Sequence, residues 1–276
     1  MNKIGIIGYG SIGQMLVNSF IKSKVLHADQ LIVSELDKSK TKDIKKVYPE
    51  ITIAKSVKEI AVKCNYILVC VKPVNAFELM CNIKDSLNPS AHIISIAACV
   101  TIGNIESIFN GKVSKVIPSF TSEVFDGVTL VCHNSKVSME DAKKVENLFS
   151  AISTVKLINE EDFELGIVLT SCGPGLIASV FNEFVNSGIK FGSLSQDEIE
   201  YLILKTLNAT AKLMYEKKMA FNELIERVAT PGGITGEGVD VFRKLLPEVF
   251  DEMHDKSILR YRSIQDDTQK QFDKGC

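Results

Sequence analysis

Six residues near the amino end, GYGSIG at positions 8–13, constrain the fold of this chain more than any other stretch. They overlap the end of the apolar run KIGIIGY, which predicts a short strand, and they precede a segment whose apolar residues recur at helical spacing. In a strand, turn and helix of this kind, Gly8 permits the tight turn, Gly10 admits a pyrophosphate and Gly13 brings the helix close to the strand. Because such a helix also starts with free N–H groups that favour phosphate, we expect a dinucleotide-binding fold.

The end of the second predicted strand, LIVSE, carries an acidic residue that bears on the choice of cofactor. Glu35 stands 22 positions after Gly13 (35 − 13). An acid about 20 residues beyond the glycines accepts the ribose hydroxyls of NAD, and its charge repels the 2′-phosphate of NADP. No arginine stands beside it, although Lys38 offers partial compensation. We therefore expect NADH or NADPH as the cofactor, with NADH favoured, and Ser34 and Glu35 among its contacts.

The chain changes character near residue 158. Before this point, near-continuous apolar strands alternate with helical segments, which is typical of a parallel sheet covered on both faces. After it, the strand signals stop. We predict an α/β fold in which an N-terminal Rossmann dinucleotide-binding domain (1–157) precedes an all-α C-terminal dimerisation and substrate domain (158–276).

The helical part carries more apolar surface than one small domain buries, which favours a homodimer or a higher homo-oligomer. A break in its first long helix is expected at Gly173-Pro174-Gly175, because proline removes a backbone donor. The last three helices are expected over 221–228, 236–245 and 247–268.

Composition and charge exclude several classes of function. The net charge of −2 gives no electrostatic case for binding nucleic acid or an anionic membrane. We expect no apolar run of the ~18 residues that cross a bilayer and no signal peptide, and hence a cytoplasmic protein without membrane partners. The seven cysteines show no metal-ligand spacing and the four histidines are scattered, so we expect reduced thiols, no disulfide and no metal site.

Five further segments are informative when they are taken together. They are YILVCVKP (66–73), HIISIAACV (92–100), KVIPS (115–119), TSCGPG (170–175) and ERVATPGGITGEG (226–238). With GYGSIG, they resemble the pyrroline-5-carboxylate reductase family in order and spacing, from residue 3 to about 245. The resemblance implies an NAD(P)H-dependent oxidoreductase of proline biosynthesis that reduces the C=N bond of 1-pyrroline-5-carboxylate to give L-proline. It also implies a homodimer or larger assembly in which the PGG loop of one subunit closes over the cofactor domain of another.

The resemblance assigns cofactor contacts residue by residue. The glycine-rich turn holds the pyrophosphate, the turn after the fourth strand runs beneath the riboses, and the end of the following strand lies near the nicotinamide. The residues implied in these roles are Gly8, Gly10, Ser11, Ile12, Gly13, Ser56, Val71, Lys72, Pro73, Ala97 and Ala98.

The second glycine cluster, ATPGGITGEG at 229–238, is implied to hold the substrate. Its glycines at 232, 233, 236 and 238 are expected to expose N–H groups at a helix start, which suits the carboxylate of a small acid; a plain helix–helix turn is the alternative. Thr235 matches the hydroxyl residue near the imine nitrogen and is the candidate catalytic residue. The implied substrate contacts are Ser119, Glu160, Thr230, Gly232, Gly233 and Ile234.

Several positions depart from the family pattern, and they belong to the expected pocket. Ser119 and Ser56 each stand where the family has an asparagine, and Cys99 stands for a glycine. The departures resemble a divergent branch, the late-competence-type reductase homologues. They leave open a reductase of a different cyclic imine and a dinucleotide-binding regulatory protein with little turnover. A β-hydroxyacid dehydrogenase is disfavoured, because that chemistry needs a lysine on the first long helix and residues 163–187 contain none.

Overall fold

The computed structural model describes residues 3–276, apart from the side chain of Lys38, so the compensation expected of that lysine lies outside the described part. The strands are β1 Ile4–Ile7, β2 Leu31–Ser34, β3 Thr52–Ile53, β4 Tyr66–Val69, β5 His92–Ser95, β6 Lys112–Ile117, β7 Val128–His133 and β8 Thr154–Leu157. The helices are α1 Ser11–Lys22, α2 Lys38–Val47, α3 Val57–Lys63, α4 Pro73–Ile83, α5 Ile102–Glu106, α6 Met139–Ser150, α7 Phe163–Thr170, α8 Gly173–Gly188, α9 Gln196–Lys217, α10 Phe221–Val228 and α11 Ile234–Phe272.

The described strands form one sheet in the order β3-β2-β1-β4-β5-β6-β7-β8. Neighbouring strands are parallel except β6 and β7, which are antiparallel. The connection between these two, residues 118–127, is too short for the crossover that a parallel pair requires. The predicted α/β fold class is confirmed, with one antiparallel pair that the sequence pattern did not indicate.

Both faces of the sheet are covered by helices. On one face, Ile6 and Leu68 pack in a core with α1 and α6, where the rings of Phe20 and Phe149 meet edge-on at 5.4 Å. On the other face, Ile7, Ile67 and their neighbours pack with α3, α4 and α5. Strands buried on both faces are mostly apolar, which is why they could be recognised from the sequence.

The chain divides into two compact units. One holds the chain up to Pro174 together with Ser257–Cys276, and the other holds Gly175–Lys256. The predicted boundary at 157/158 coincides with the end of β8, but the sheet unit continues through α7. The reason is packing, since Phe163 and Ile167 of α7 share a buried cluster with Leu130 of β7.

Two expectations about the helices have different outcomes. The predicted break at Gly173 is present, because α7 ends at Thr170 and α8 begins at Gly173. The predicted separation of the last two helices is wrong, because α11 runs without interruption over Pro247. Proline removes one hydrogen bond of a helix and tends to kink it, but it does not always end the helix.

One apolar stretch is longer than we expected. Glu160–Gly188 is long and apolar enough to cross a membrane by length and composition alone, with a mean hydropathy of 1.5 and 17% of its most apolar window buried. The expectation that no such run exists is therefore wrong. The stretch was overlooked because serine, threonine, cysteine and the Gly-Pro-Gly element interrupt its apolar residues. None of these residues is charged, so the mean hydropathy stays high. The helices over this stretch therefore leave much of their apolar surface exposed in the single chain.

The cysteines also differ from the expectation of reduced thiols. Cys81 and Cys276 form a disulfide with a Cα–Cα distance of 5.5 Å, although 195 positions separate them. The end of α11 lies against α4, where the ring of Phe272 meets Phe77 at 5.3 Å, and this packing brings the two sulfurs together. Among the described residues, no group of three or more histidine, cysteine or acidic side chains is placed to hold a metal ion.

Candidate active site

The candidate site lies at the carboxyl ends of the central strands. Strand order reverses at β1, which lies between β2 and β4, and open α/β sheets bind ligands in the crevice at such a point. Ile7, the last residue of β1, pairs in register with Ser34 and Val69, and Val69 pairs with Ser95. The turns that follow these strands hold most of the predicted cofactor contacts and therefore meet at one edge of the sheet.

The three glycines of the first turn are present for different structural reasons. Gly8 has φ +98°, and a Cβ there would approach the Cys70 carbonyl oxygen at 2.5 Å. A Cβ at Gly13 would collide with the Gly8 carbonyl. A Cβ at Gly10 would meet nothing within 4 Å. Gly8 and Gly13 are thus required by the fold, whereas Gly10 borders open space in front of α1.

Among the described residues, no capping side chain satisfies the amides at the start of α1. Gly10 occupies the N-cap position with no side-chain hydrogen bond, and the first turn contains no acidic residue. The first N–H groups of a helix lack intrahelical acceptors, and the helix dipole adds partial positive charge there. The open space at Gly10 and these amides together fit a pyrophosphate.

Glu35 is fixed beside this turn by backbone hydrogen bonds. The Tyr9 N–H donates to Glu35 Oε2 at 2.6 Å, and the Asp37 N–H donates to Oε1 at 3.1 Å. The Gly8 N–H donates to the Ser34 carbonyl at 2.9 Å, which joins the turn to the end of β2. A carboxylate oxygen accepts more than one hydrogen bond, so Glu35 retains acceptor capacity for a ligand hydroxyl.

The remaining predicted cofactor contacts lie in the turns after β4 and β5 and at the start of α3. Lys72 is the N-cap of α4 without a side-chain hydrogen bond, and Pro73 is the first residue of that helix. Ala97 is buried, and the Ala98 carbonyl accepts a hydrogen bond from the Tyr261 hydroxyl at 3.3 Å. Ser56 caps α3 by accepting from the Glu59 N–H at 3.4 Å.

Lys115 is a buried residue of this region that sequence reasoning missed. Its side chain is 1% exposed, with Nζ 3.5 Å from Glu160 Oε1 and 4.9 Å from the centre of the Phe163 ring. Burial lowers the pKa of Lys115, and the carboxylate of Glu160 opposes that shift. The only signal in the sequence is a lysine flanked by valine and serine in a strand that is otherwise buried, KVSKVI.

Glu160 and Ser119, two predicted substrate contacts, are already engaged within the chain. Glu160 Oε1 accepts from the Ile102 N–H at 2.8 Å, which ties it to the start of α5. Ser119 is 2% exposed, and its hydroxyl accepts from the Thr121 hydroxyl at 2.9 Å. Both side chains therefore support the turns after β5 and β6.

The second glycine cluster lies in the other unit, between α10 and α11. Gly232 has φ +72°, and the Gly233 N–H donates to the Thr230 carbonyl at 2.9 Å. The Gly236 N–H donates to the Gly233 carbonyl at 3.1 Å, so at least two of the four glycines expected to expose N–H groups use them within the chain. α11 begins at Ile234, which is 95% exposed, and Thr235 is exposed in its first turn. The amides available to a ligand are those of this first turn.

Comparison of the chain with known proteins identifies its family. A model of pyrroline-5-carboxylate reductase dimerisation matches residues 160–264, and a model of coenzyme F420-dependent NADP oxidoreductases matches residues 3–99. Pyrroline-5-carboxylate reductase 3 of Bacillus subtilis is 35% identical over 98% of this chain and 100% of its own length. The chain belongs to the pyrroline-5-carboxylate reductase family. The resemblance read from the motifs is confirmed, and with it the class of NAD(P)H-dependent reductases.

The chain is also similar to a second protein of B. subtilis and to solved structures that share its fold. ComE operon protein 4 of B. subtilis is 26% identical over 98% of this chain and 99% of its own length, which fits the divergent branch expected from the pocket residues. The fold is shared with a Plasmodium falciparum pyrroline carboxylate reductase with NADP bound (TM-score 0.84, 23% identity, 98% of both chains). It is shared equally with the reductase of Coxiella burnetii (TM-score 0.85, 21% identity, 95% of this chain and 98% of that chain).

Proposed function

We propose that this chain reduces 1-pyrroline-5-carboxylate to L-proline with a nicotinamide dinucleotide as the hydride donor. The observation that carries the proposal is the uncapped start of α1 at Gly10, open in front of the helix, in a chain that matches a pyrroline-5-carboxylate reductase over 98% of its length. A reductase of a different cyclic imine would share this cofactor site and differ in the substrate loop.

The cofactor is assigned to the carboxyl edge of the sheet. The first turn of α1 binds the pyrophosphate, the ends of β2 and β3 contact the adenosine ribose, and the turns after β4 and β5 contact the second ribose and the nicotinamide. The residues in these roles are Gly8, Gly10, Ser11, Ile12, Gly13, Ser34, Glu35, Ser56, Val71, Lys72, Pro73, Ala97 and Ala98.

NADH is the preferred form of the cofactor in this proposal. Glu35 is held against the glycine turn by the Tyr9 N–H at 2.6 Å and keeps acceptor capacity for ribose hydroxyls. The same carboxylate opposes a 2′-phosphate by charge repulsion.

The chain supplies orientation and charge complementarity for the reaction. When bound, a reduced nicotinamide supplies the hydride that adds to the imine carbon. The amides at the start of α11, with Thr230, Gly232, Gly233 and Ile234, hold the substrate carboxylate. Thr235 accepts a hydrogen bond from the protonated ring nitrogen and keeps it oriented while that nitrogen becomes an amine. Glu160 and Ser119 position the turns after β5 and β6, as their contacts within the chain favour.

We assign the protein to a homodimer or higher homo-oligomer in the cytoplasm. The helices of Gly175–Lys256 expose many large apolar side chains, among them Phe184, Leu204 and Phe242, each more than half exposed. Large apolar side chains left exposed in this number favour an interface, and this part of the chain matches the family's dimerisation model.

The experiment that tests the function is an absorbance assay. Purified protein is mixed with NADH or NADPH and chemically prepared 1-pyrroline-5-carboxylate, and oxidation of the nicotinamide is followed. Turnover with formation of proline supports the proposal. Cofactor binding without turnover contradicts it and favours either a different cyclic imine as the substrate or the regulatory alternative.

A further inference from the structure

The turn after β5, residues 96–101, carries the two residues assigned to the nicotinamide, Ala97 and Ala98. Its first amide, the Ile96 N–H, donates to the Val69 carbonyl at 3.1 Å and so continues the pairing of β5 with β4. Beyond that residue the turn leaves the sheet, and two side chains from other elements bind its backbone. Such a turn has to keep its geometry, because a displacement of about 1 Å at the reacting groups lowers the rate of a reaction strongly.

Glu160 fixes the end of this turn. Its Oε1 accepts from the Ile102 N–H, the first amide of α5, at 2.8 Å. The Glu160 side chain is 31% exposed and therefore has access to water. A carboxylate gains hydration by turning outwards, so the contact with Ile102 is stable only if a second group keeps the carboxylate turned inwards.

Lys115 is that second group. Its side chain is 1% exposed, and Nζ lies 3.5 Å from Glu160 Oε1 and 4.9 Å from the centre of the Phe163 ring. Nζ has no hydrogen-bond partner among the described residues, so it depends on the charge of this acid. Burial lowers the pKa of Lys115, and Glu160 is the first of the groups that oppose the shift. A buried ammonium is costly unless an acid faces it, so the two side chains hold each other in place.

Tyr261 fixes the middle of the same turn. It lies in the last part of α11, within Ser257–Cys276, which belongs to the sheet unit. Its hydroxyl donates to the Ala98 carbonyl at 3.3 Å, and its ring packs in a buried cluster with Cys99 and Phe163. Burial raises the pKa of the Tyr261 hydroxyl, so this group remains a donor at neutral pH.

We propose that Lys115, acting through Glu160, and Tyr261 are positioning residues that fix the turn after β5 for contact with the nicotinamide ring. Their role rests on the proposed cofactor site at the carboxyl edge of the sheet. Each side chain acts on the backbone of the turn and not on the hydride or the imine. Loss of either is therefore expected to weaken the contacts of the nicotinamide and to leave those of the pyrophosphate at α1 unchanged.

NADH and ADP-ribose are the probes that test this role, because ADP-ribose lacks only the nicotinamide ring. Isothermal titration calorimetry is expected to show Lys115→Met losing affinity for NADH on the order of tenfold while its affinity for ADP-ribose stays at the wild-type value. Lys156→Met, a change at an exposed lysine of β8, is the matched control and should keep both affinities. An equal loss for both ligands, or no loss for NADH, would overturn the role of Lys115.

Tyr261→Phe is the variant that disturbs the fold least, because it removes one hydroxyl and keeps the buried ring. The same selective loss of NADH affinity is expected, on the order of fivefold. Tyr215→Phe, at an exposed site of α9, should bind both ligands as the wild type does. Unchanged NADH affinity in Tyr261→Phe would overturn the role of its hydroxyl.

A double variant tests the route through Glu160. Glu160→Gln removes the charge that faces Lys115 and is expected to weaken NADH binding by roughly tenfold, whereas Glu161→Gln, at its exposed neighbour, should not. If the lysine acts through this acid, adding Lys115→Met to Glu160→Gln lowers the NADH affinity no further. Losses that multiply would contradict this route.

These binding measurements contain no imine, so their outcome is separate from reductase activity. A wild-type protein that binds NADH and ADP-ribose equally would overturn the positioning role and leave the cofactor site in place. Failure of the wild type to bind either ligand would overturn both.

Discussion

At the scale of single residues, the proposed preference for NADH depends on Glu35. Replacing it with serine removes the carboxylate that the Tyr9 N–H holds at 2.6 Å and relieves repulsion of a 2′-phosphate. We expect the ratio of kcat/KM for NADPH to that for NADH to rise on the order of tenfold in Glu35→Ser. Glu50→Ser, which changes an exposed acid after α2, is the matched control and should leave the ratio unchanged. An unaltered ratio in Glu35→Ser would remove this residue from cofactor selection.

The hydroxyl of Thr235, the candidate catalytic residue, can be tested by a substitution of similar shape. Thr235→Val keeps the shape of the side chain but removes the hydroxyl, so kcat for imine reduction should fall by about 10²-fold with little change in the KM for NADH. Thr206→Val makes the same exchange on the exposed surface of α9 and serves as the control, which should keep the wild-type kcat. Steady-state kinetics in both substrates checks this. If the two variants retain equal kcat, Thr235 has no part in the reaction.

At the scale of elements, the end of α11 is held against α4. Phe272 packs on Phe77, and Cys276 is joined to Cys81 across 195 positions. A cross-link over so long a stretch restricts the unfolded chain strongly, by about 5 kcal/mol in the chain-entropy estimate. Cys276→Ser should therefore lower the Tm measured under oxidising conditions.

Adding a reductant provides the control for that measurement. Dithiothreitol should bring the wild-type Tm down to that of Cys276→Ser and leave the variant unchanged. Cys172→Ser, which changes an exposed free thiol, should behave as wild type under both conditions. A wild-type Tm that does not respond to reductant would contradict a stabilising disulfide at this position.

The elements also show what the sequence could predict. The turn at 8–13 was predictable because a strand, a tight turn and a helix need glycine at fixed positions, and a Cβ at Gly8 or Gly13 would collide with the carbonyl of Cys70 or Gly8. The antiparallel direction of β7, the helix across Pro247 and the disulfide depend on tertiary packing and were missed. The burial of Lys115 beside Glu160 was missed for the same reason, because its partner is 45 positions away (160 − 115).

At the scale of the whole molecule, the apolar surface of the helical unit predicts self-association. Leu204 is 67% exposed on α9, within the part matched by the dimerisation model. The wild-type protein should sediment at twice 30.4 kDa or more, and Leu204→Glu should shift it towards the single-chain mass. Val47→Glu, a change at an exposed apolar residue of α2, should not. A wild-type protein that sediments as a single chain would contradict the oligomer.

We propose that the nucleotide-binding edge of the sheet and the glycine loop before α11 serve one reduction. The most direct test is the oxidation of NADH by the purified wild-type protein in the presence of 1-pyrroline-5-carboxylate, with proline measured as the product. Proline should form in a one-to-one ratio with the NADH consumed. NADH that binds but is not consumed when the imine is added would contradict it.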